Sequence, residues 1–276
     1  MAELRTLGFE PVYSEAVFAR SEYLAGPADA RARDLIAAWD DPTIKAVIAA
    51  RGGYGSVQLL PWLDAARFRR TPKIFVGYSD NTSLLVWLTQ ACGLAVFHGP
   101  MIEGRFALGE AGYDRPSFLR AVCEPVPLGA VGDQVEVLRP GEATGTLVGG
   151  TLTQLVGSLG TPYAFDPPEG CVLFLDEVAE RPYRLDRMLM QLRFSGCLSR
   201  AAAIVFNSLP RCDEPGGSPT ARETVRTVLS DFAGPVLYGV QSGHTDGPTL
   251  TLPFGVTASV RTAAGASLII EEAAVQ

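Results

Sequence analysis

Short apolar runs, punctuated by glycine- and proline-rich turns, alternate with helix-period stretches through the first half of the chain. Ile74 to Val76 runs through Gly77-Tyr78-Ser79-Asp80-Asn81 into a segment whose apolar positions are Leu84, Leu85, Trp87 and Leu88, a buried strand turning directly into a helix. Upstream, Phe9 to Val12 is a short strand candidate. Asp29 to Trp39 predicts a helix with Leu35, Ile36 and Trp39 inward, ended by Asp41-Pro42. Lys45 to Ala50 reads as a strand that stops at Arg51-Gly52-Gly53-Tyr54-Gly55-Ser56, after which Leu59, Leu60 and Trp62 begin another helix. Leu94 to Phe97 follows as a strand ending at His98-Gly99-Pro100. Strands alternating with helices in this way predict a parallel sheet and an α/β fold. Ligands bind such sheets at the carboxyl ends of the strands, and three successive strands here end in polar, glycine-containing turns, so the site is expected there.

The pattern changes between residues 125 and 144, where proline and glycine punctuate the chain around the isolated strand Val135 to Leu138. This stretch reads as a crossover linker between an N-terminal domain, residues 1–124, and a C-terminal domain, residues 145–276. Beyond it, Gly145 to Leu159 is rich in glycine and threonine, Cys171 to Leu175 is a strand ending in Asp176-Glu177, and Tyr183 to Phe194 carries Leu185, Met188, Leu189 and Leu192 on one helical face. Ala203 to Phe206, Val236 to Tyr238, Thr249 to Leu252, Val256 to Val260 and Ser267 to Ile270 read as further strands. The second domain is expected to be mixed, with more antiparallel character than the first.

With 276 residues the chain can bury a sizeable core. A net charge of −7 argues against binding a phosphate backbone, so nucleic acid is not an expected partner. Five cysteines, with no C-x-x-C pair and several inside apolar runs, fit reduced core residues of a cytoplasmic protein better than a disulfide frame. No apolar run reaches the length of a membrane span and the N-terminus lacks a signal-like stretch. A soluble, unexported protein with no membrane association is expected.

Candidate chemistry centres on Ser79, which stands at a strand-to-helix corner where backbone N–H groups and the helix dipole favour a developing oxyanion. The turn is a relative of the G-x-S-x-G elbow lacking its second glycine; Ser79 also fits a plain helix cap, and Asp80 or Asn81 is expected to cap the helix. The two histidines, His98 and His244, are the candidate bases. Asp176, at the end of an apolar strand, is placed to orient an imidazole. Neither histidine belongs to a ligand cluster, so no metal site is expected. Arg51-Gly52-Gly53-Tyr54-Gly55 lacks the features of a phosphate loop; its glycines would let backbone N–H groups approach a substrate carbonyl, and Arg51 is a candidate to pair with a substrate carboxylate.

Together these segments resemble the LD-carboxypeptidase family of serine peptidases, which includes the microcin C self-immunity peptidases. The likeness rests on Tyr23-Leu24-Ala25-Gly26, Arg51-Gly52-Gly53-Tyr54-Gly55, Gly77-Tyr78-Ser79-Asp80, His98-Gly99-Pro100 and Gly149-Gly150. It continues in Leu173-Phe174-Leu175-Asp176-Glu177-Val178, Pro182-Tyr183-Arg184-Leu185-Asp186-Arg187, and Gly243-His244 with Thr251-Leu252-Pro253-Phe254-Gly255. The resemblance implies a flavodoxin-like parallel-sheet N-terminal domain, a β-rich swivelling C-terminal domain, a Ser–Glu–His triad across their cleft, no cofactor, and a homodimer. It further implies hydrolysis of an L,D amide bond in cytoplasmic murein fragments. Ser79 falls on the nucleophile, His244 on the base, and the backbone N–H groups of Gly53 and Asp80 on the oxyanion hole. Two departures stand out. The family opens with a further strand, so one sheet strand is expected to be absent. Its triad glutamate leads a Glu-Asp pair, where this chain has Asp176-Glu177. Neighbouring side chains at a strand end point to opposite faces; position favours Asp176 as the acid and length favours Glu177, and Asp176 is the expected one. The alternatives are a microcin-immunity hydrolase of acyl-aminoacyl nucleotides and a catalytically dead muropeptide-binding module.

Overall fold

The computed structural model describes residues 1–132, 135–263 and 265–276. In chain order, the first half comprises α1 (Ala2–Thr6), α2 (Ala28–Asp40), β1 (Ala46–Ile48), α3 (Ala65–Arg70), β2 (Ile74–Gly77), α4 (Thr82–Gln90), β3 (Val96–His98) and α5 (Arg115–Cys123). The second comprises β4 (Gly129–Val131), β5 (Glu136–Arg139), β6 (Glu142–Thr151), α6 (Leu152–Ser158), β7 (Cys171–Asp176), α7 (Pro182–Phe194), β8 (Ala201–Phe206), α8 (Ala221–Val228), β9 (Val236–Tyr238), β10 (Leu252–Phe254), β11 (Thr257–Arg261) and β12 (Ser267–Ile270).

The α/β reading holds, with two sheets. In the first, β1, β2 and β3 run parallel, and β10 closes the edge antiparallel to β3 with Leu252 opposite His98. In the second, the order is β4-β12-β11-β6-β7-β8-β9-β5, parallel from β6 to β9 and antiparallel on both flanks. The chain passes from β10 in the first sheet to β11 in the second through a turn at Gly255, where φ is 87°. The N- and C-terminal halves are therefore interleaved at this point. The second sheet also curls. Its edge strands β4 and β5 are joined by the five-residue step from Val131 to Glu136, which spans at most about 18 Å, whereas seven flat strand spacings would cover about 34 Å.

α4 explains how the sheets are joined. Leu84, Leu85, Val86, Trp87 and Leu88 are all buried, so this helix is apolar on every side and has to be enclosed rather than laid on a surface. One continuous core joins its Leu85 and Leu88 to Phe75 of the first sheet, Phe174 and Val205 of the second, and Phe254 of β10. α7 behaves as an ordinary amphipathic helix, with Leu185, Met188, Leu189 and Leu192 buried as the period predicts. Cys92, Cys171, Cys197 and Cys212 are buried free thiols, while Cys123 is exposed.

Several sequence expectations differ from the structure. Phe9 to Val12 forms no strand: Gly8 turns the chain at φ 87°, Val12 is 64% exposed, and Pro11 removes a ladder donor. The helix expected from Leu59 is a 3₁₀ segment, Ser56–Trp62, because Pro61 inside it cannot supply an α-helical N–H. Thr249 and Leu250 make only isolated bridges, to Tyr113 and Ser242, and the strand begins at Leu252. The 125–144 stretch, read as a linker around an isolated strand, carries β4, β5 and the start of β6, all paired in the second sheet. Strands this short, with glycine nearby, occupy its two edges.

Candidate active site

Ser79 follows β2 at φ 62°, a left-handed conformation that costs a non-glycine residue roughly 1–3 kcal/mol and persists only where the surroundings hold it. The neighbouring residues do so. A side chain at Gly77 would meet Asn81 Cβ at 3.1 Å and Ala49 Cβ at 3.2 Å, so glycine lets the turn pack closely where any larger residue would push its neighbours aside. Gly52 packs against the serine, where an added Cβ would lie 3.0 Å from both Ser79 Cβ and Oγ. Gly53 adopts φ 108°, also a glycine conformation.

Asp80 and Asn81 do different work from the expected helix capping. The N-cap position of α4, Asn81, makes no side-chain capping bond. Instead, the Asp80 carboxylate accepts from the N–H groups of Gly55 at 3.2 Å and Ser56 at 2.8 Å, and Asn81 Nδ2 donates to the Arg51 carbonyl at 3.1 Å. The polar residues after the nucleophile are spent on locking the glycine loop to the turn.

Asp176 is fully buried at the end of β7. Its Oδ2 stands 2.7 Å from His244 Nδ1 and accepts from Thr151 Oγ1 at 2.9 Å; its Oδ1 accepts from the His244 N–H at 3.0 Å and from Asn207 Nδ2 at 2.5 Å. Burial alone would raise this carboxyl, but the His244 hydrogen bond and the neighbouring histidines outweigh it and hold the group below its ordinary value. An ionised carboxylate only accepts, so His244 carries its proton on Nδ1 and keeps Nε2 as the basic nitrogen. The Tyr78 ring meets the imidazole edge-on at 5.0 Å, and Asn207 Nδ2 also holds the His244 carbonyl at 2.7 Å. Thr151 and Asn207 were not singled out from the sequence. Their only signal is position, Thr151 at the end of β6 and Asn207 just after β8, strands that flank β7 on either side.

A cavity of about 350 Å³ is lined by Ser79, His244, Gly52, Gly53, Arg51, Met101 and Glu103. The structure therefore brings together the expected nucleophile, base and acid, with Gly53 and Arg51 at the same cavity and Asp80 next to the serine. Arg51 is loosely held, its Nη1 4.0 Å from Glu103 Oε2 and both side chains more than half exposed. Neither His98 nor Glu177 lines this cavity, although His98 Nε2 lies 3.8 Å from Asp176 Oδ2. His98 is sealed in the core, its ring stacked on Phe254 at 5.3 Å and its Nδ1 2.9 Å from Ser242 Oγ; burial pushes its pKa down to about 4. Glu177 turns to the opposite face of β7 and accepts from the Thr153 N–H at 2.9 Å, the Thr153 hydroxyl at 2.6 Å and the Val178 N–H at 2.9 Å, with burial raising its pKa. Among the described residues no group of three or more His, Cys, Asp or Glu side chains is arranged to hold a metal ion, and no helix is long and apolar enough to cross a membrane.

A serine at a strained elbow, a histidine whose tautomer is fixed by a buried carboxylate, and adjacent backbone N–H groups form a set suited to acyl transfer. Comparison with known proteins points the same way. Residues 1–99 match the LD-carboxypeptidase N-terminal domain and residues 144–260 the LD-carboxypeptidase C-terminal domain. A probable murein peptide carboxypeptidase of Bacillus subtilis is 35% identical over 275 residues, covering 96% of this chain and 84% of the relative. The murein tetrapeptide carboxypeptidase of Pseudomonas aeruginosa is 30% identical, covering 94% and 86%. The crystal structure of muramoyltetrapeptide carboxypeptidase from Oxalobacter formigenes superposes with a TM-score of 0.86 at 32% identity, covering 98% of this chain and 93% of that one. The microcin C7 self-immunity protein MccF of Escherichia coli is 26% identical over 93% of the chain and 83% of its own length. The chain belongs to the LD-carboxypeptidase family and is a serine-type peptidase.

Proposed function

We propose that this enzyme removes the terminal D-alanine from cytoplasmic murein tetrapeptides, cutting the L,D amide bond during peptidoglycan recycling. Ser79 Oγ attacks the carbonyl carbon while His244 Nε2 takes its proton, and the backbone N–H groups of Gly53 and Asp80 receive the oxyanion. As the C–N bond breaks, His244 returns the proton to the leaving amine of D-alanine. Water then attacks the acyl-enzyme by the same route in reverse, and Asp176 stays ionised throughout as the partner of His244. The observation that carries this reading is the 2.7 Å contact between His244 Nδ1 and the buried Asp176, with His244 and Ser79 lining one cavity. Arg51, in that cavity, is the proposed partner of the substrate's free carboxylate. The relatives named for murein peptides support the substrate class.

The microcin-type alternative, hydrolysis of an acyl-aminoacyl nucleotide, is less well supported. Between Arg105 and Pro140 the aromatic side chains are Phe106, Tyr113 and Phe118, each no more than 2% exposed and so unavailable to stack on a purine. The expected homodimer is part of the proposal, to be checked by light scattering. The deciding assay follows D-alanine release from murein tetrapeptide by mass. Ser79→Ala and His244→Ala should each abolish most turnover, and the double variant should be no worse than either, since such residues act as a unit. Undiminished release by Ser79→Ala would end the reading, and release by His244→Ala with loss in His98→Ala would move the base to His98.

A further inference from the structure

Arg105 is a buried arginine, 9% exposed, whose hydrogen-bond acceptors are all neutral. A guanidinium carries five N–H donors in a rigid fork, and here five contacts engage them. Nε donates to Tyr78 Oη at 3.2 Å, Nη1 to the carbonyls of Gly112 and Gly247 at 3.3 and 3.0 Å, and Nη2 to the carbonyls of Gly243 and Thr245 at 2.8 and 3.1 Å. Tyr78 immediately precedes Ser79, and Gly243 and Thr245 immediately flank His244. A single side chain thus grips the turn that carries the nucleophile and the loop that carries the base, from distant parts of the chain.

The loop needs such a grip. Asp176 and Asn207 hold the backbone of His244 itself and Thr249 Oγ1 accepts from the Gly243 N–H at 2.8 Å, whereas the Gly243 and Thr245 carbonyls on either side of the histidine are held by Arg105. A buried cation without a carboxylate has no ion-pair attraction to offset its desolvation. Its directional fork is what an apolar residue could not reproduce. We propose that Arg105 is the positioning residue that sets the approach of His244 to Ser79, acting through Tyr78 and through the carbonyls on either side of the histidine. This inference rests on the Ser79–His244 reading above.

The test measures the rate at which a fluorophosphonate labels Ser79, with kcat and KM on murein tetrapeptide, in the full-length parent, Arg105→Lys, Arg105→Ala and Tyr78→Phe. Lysine offers donors from one point and cannot span the carbonyls, so folded Arg105→Lys should label about 10²-fold more slowly and lose kcat by a similar factor, with KM within about threefold of the parent. Methylguanidinium at millimolar concentration should restore about tenfold of the loss in Arg105→Ala by refilling the fork. Tyr78→Phe, which keeps the ring and so the fold, should lose about fivefold. Labelling of folded Arg105→Lys at the parent's rate, or a loss confined to KM, overturns the positioning role while leaving the serine reading intact. Should both Arg105 variants unfold, parental labelling of Tyr78→Phe overturns it instead. A parent that does not label overturns both.

Discussion

The two adjacent acids at the end of β7 face opposite ways, and a single methylene matters less than that parity. Asp176 meets His244, while Glu177 is tied to Thr153 and Val178. Asp176→Asn should therefore keep the fold and cut turnover by up to about 10⁴-fold, as substitutions that favour the wrong tautomer do. Glu177→Gln should leave turnover near the parent's and cost about 1 kcal/mol of stability for the weakened hydrogen bonds. Steady-state rates and urea unfolding of the two variants check this; a severe loss of turnover in Glu177→Gln alone would transfer the acid by one position. At Arg51, Arg51→Lys should impair hydrolysis of the free tetrapeptide acid more than of its C-terminal amide, because a point charge replaces a bidentate fork; equal losses would leave Arg51 a structural role only. His98 supplies a pH signature. Its pKa falls from 6.5 to about 4 on folding, so the unfolded chain takes up the proton first as pH falls. The stability owed to neutral His98 is complete above pH 6.5 and is lost towards pH 4, by up to about 3 kcal/mol. The lowered Asp176 carboxyl works in the same direction at still lower pH, and raised Glu177 works oppositely, favouring the folded state as it protonates. Urea unfolding between pH 7 and pH 4.5 should lose less stability in His98→Phe, which keeps the stack on Phe254; an unchanged pH slope would rule the histidine out as its source.

At the scale of elements, the elbow and α4 carry most of what positions the site. The helix is enclosed by both sheets, so Leu85→Ala should cost about 2–5 kcal/mol by leaving a cavity that neither sheet can collapse into alone. Chemical denaturation measures it, and a cost below about 1 kcal/mol would mean that the helix is less firmly enclosed than its burial indicates. Pattern reading located α2, α7, the elbow with its flanking β2 and α4, and the apolar strands β1, β3, β7, β8, β9, β11 and β12 to within about two residues, because there burial and period coincide. It failed where local chemistry competed, at Pro61, which shortens a helix to a 3₁₀ turn, and at Phe9 to Val12, where an extended run with a proline found no neighbouring strand.

For the whole molecule, β10 in the first sheet and the shared core around α4 join the two halves physically, and on that basis they are expected to unfold together. The tryptophans Trp39, Trp62 and Trp87 all lie in the N-terminal half, so their fluorescence reports on that half while far-UV circular dichroism weighs both. The two urea transitions should coincide, as two-state unfolding requires. A fluorescence midpoint separated from the dichroism midpoint would show that the halves melt independently.

The sequence by itself determined the α/β class, the strand-to-helix corner at Ser79, the glycine-rich loop beside it and the short set of candidate bases and acids. Each of these follows from local steric and periodic rules acting within a few residues. Tertiary structure decided that Thr151 and Asn207 complete the shell of the Asp176 carboxylate and that Asp80 holds a loop rather than capping a helix. It also decided that β10 crosses to the other sheet and that Arg105 joins the loop of His244 to the turn of Ser79. Those outcomes depend on which side chains long-range packing brings within hydrogen-bond reach, and no spacing along the chain records that.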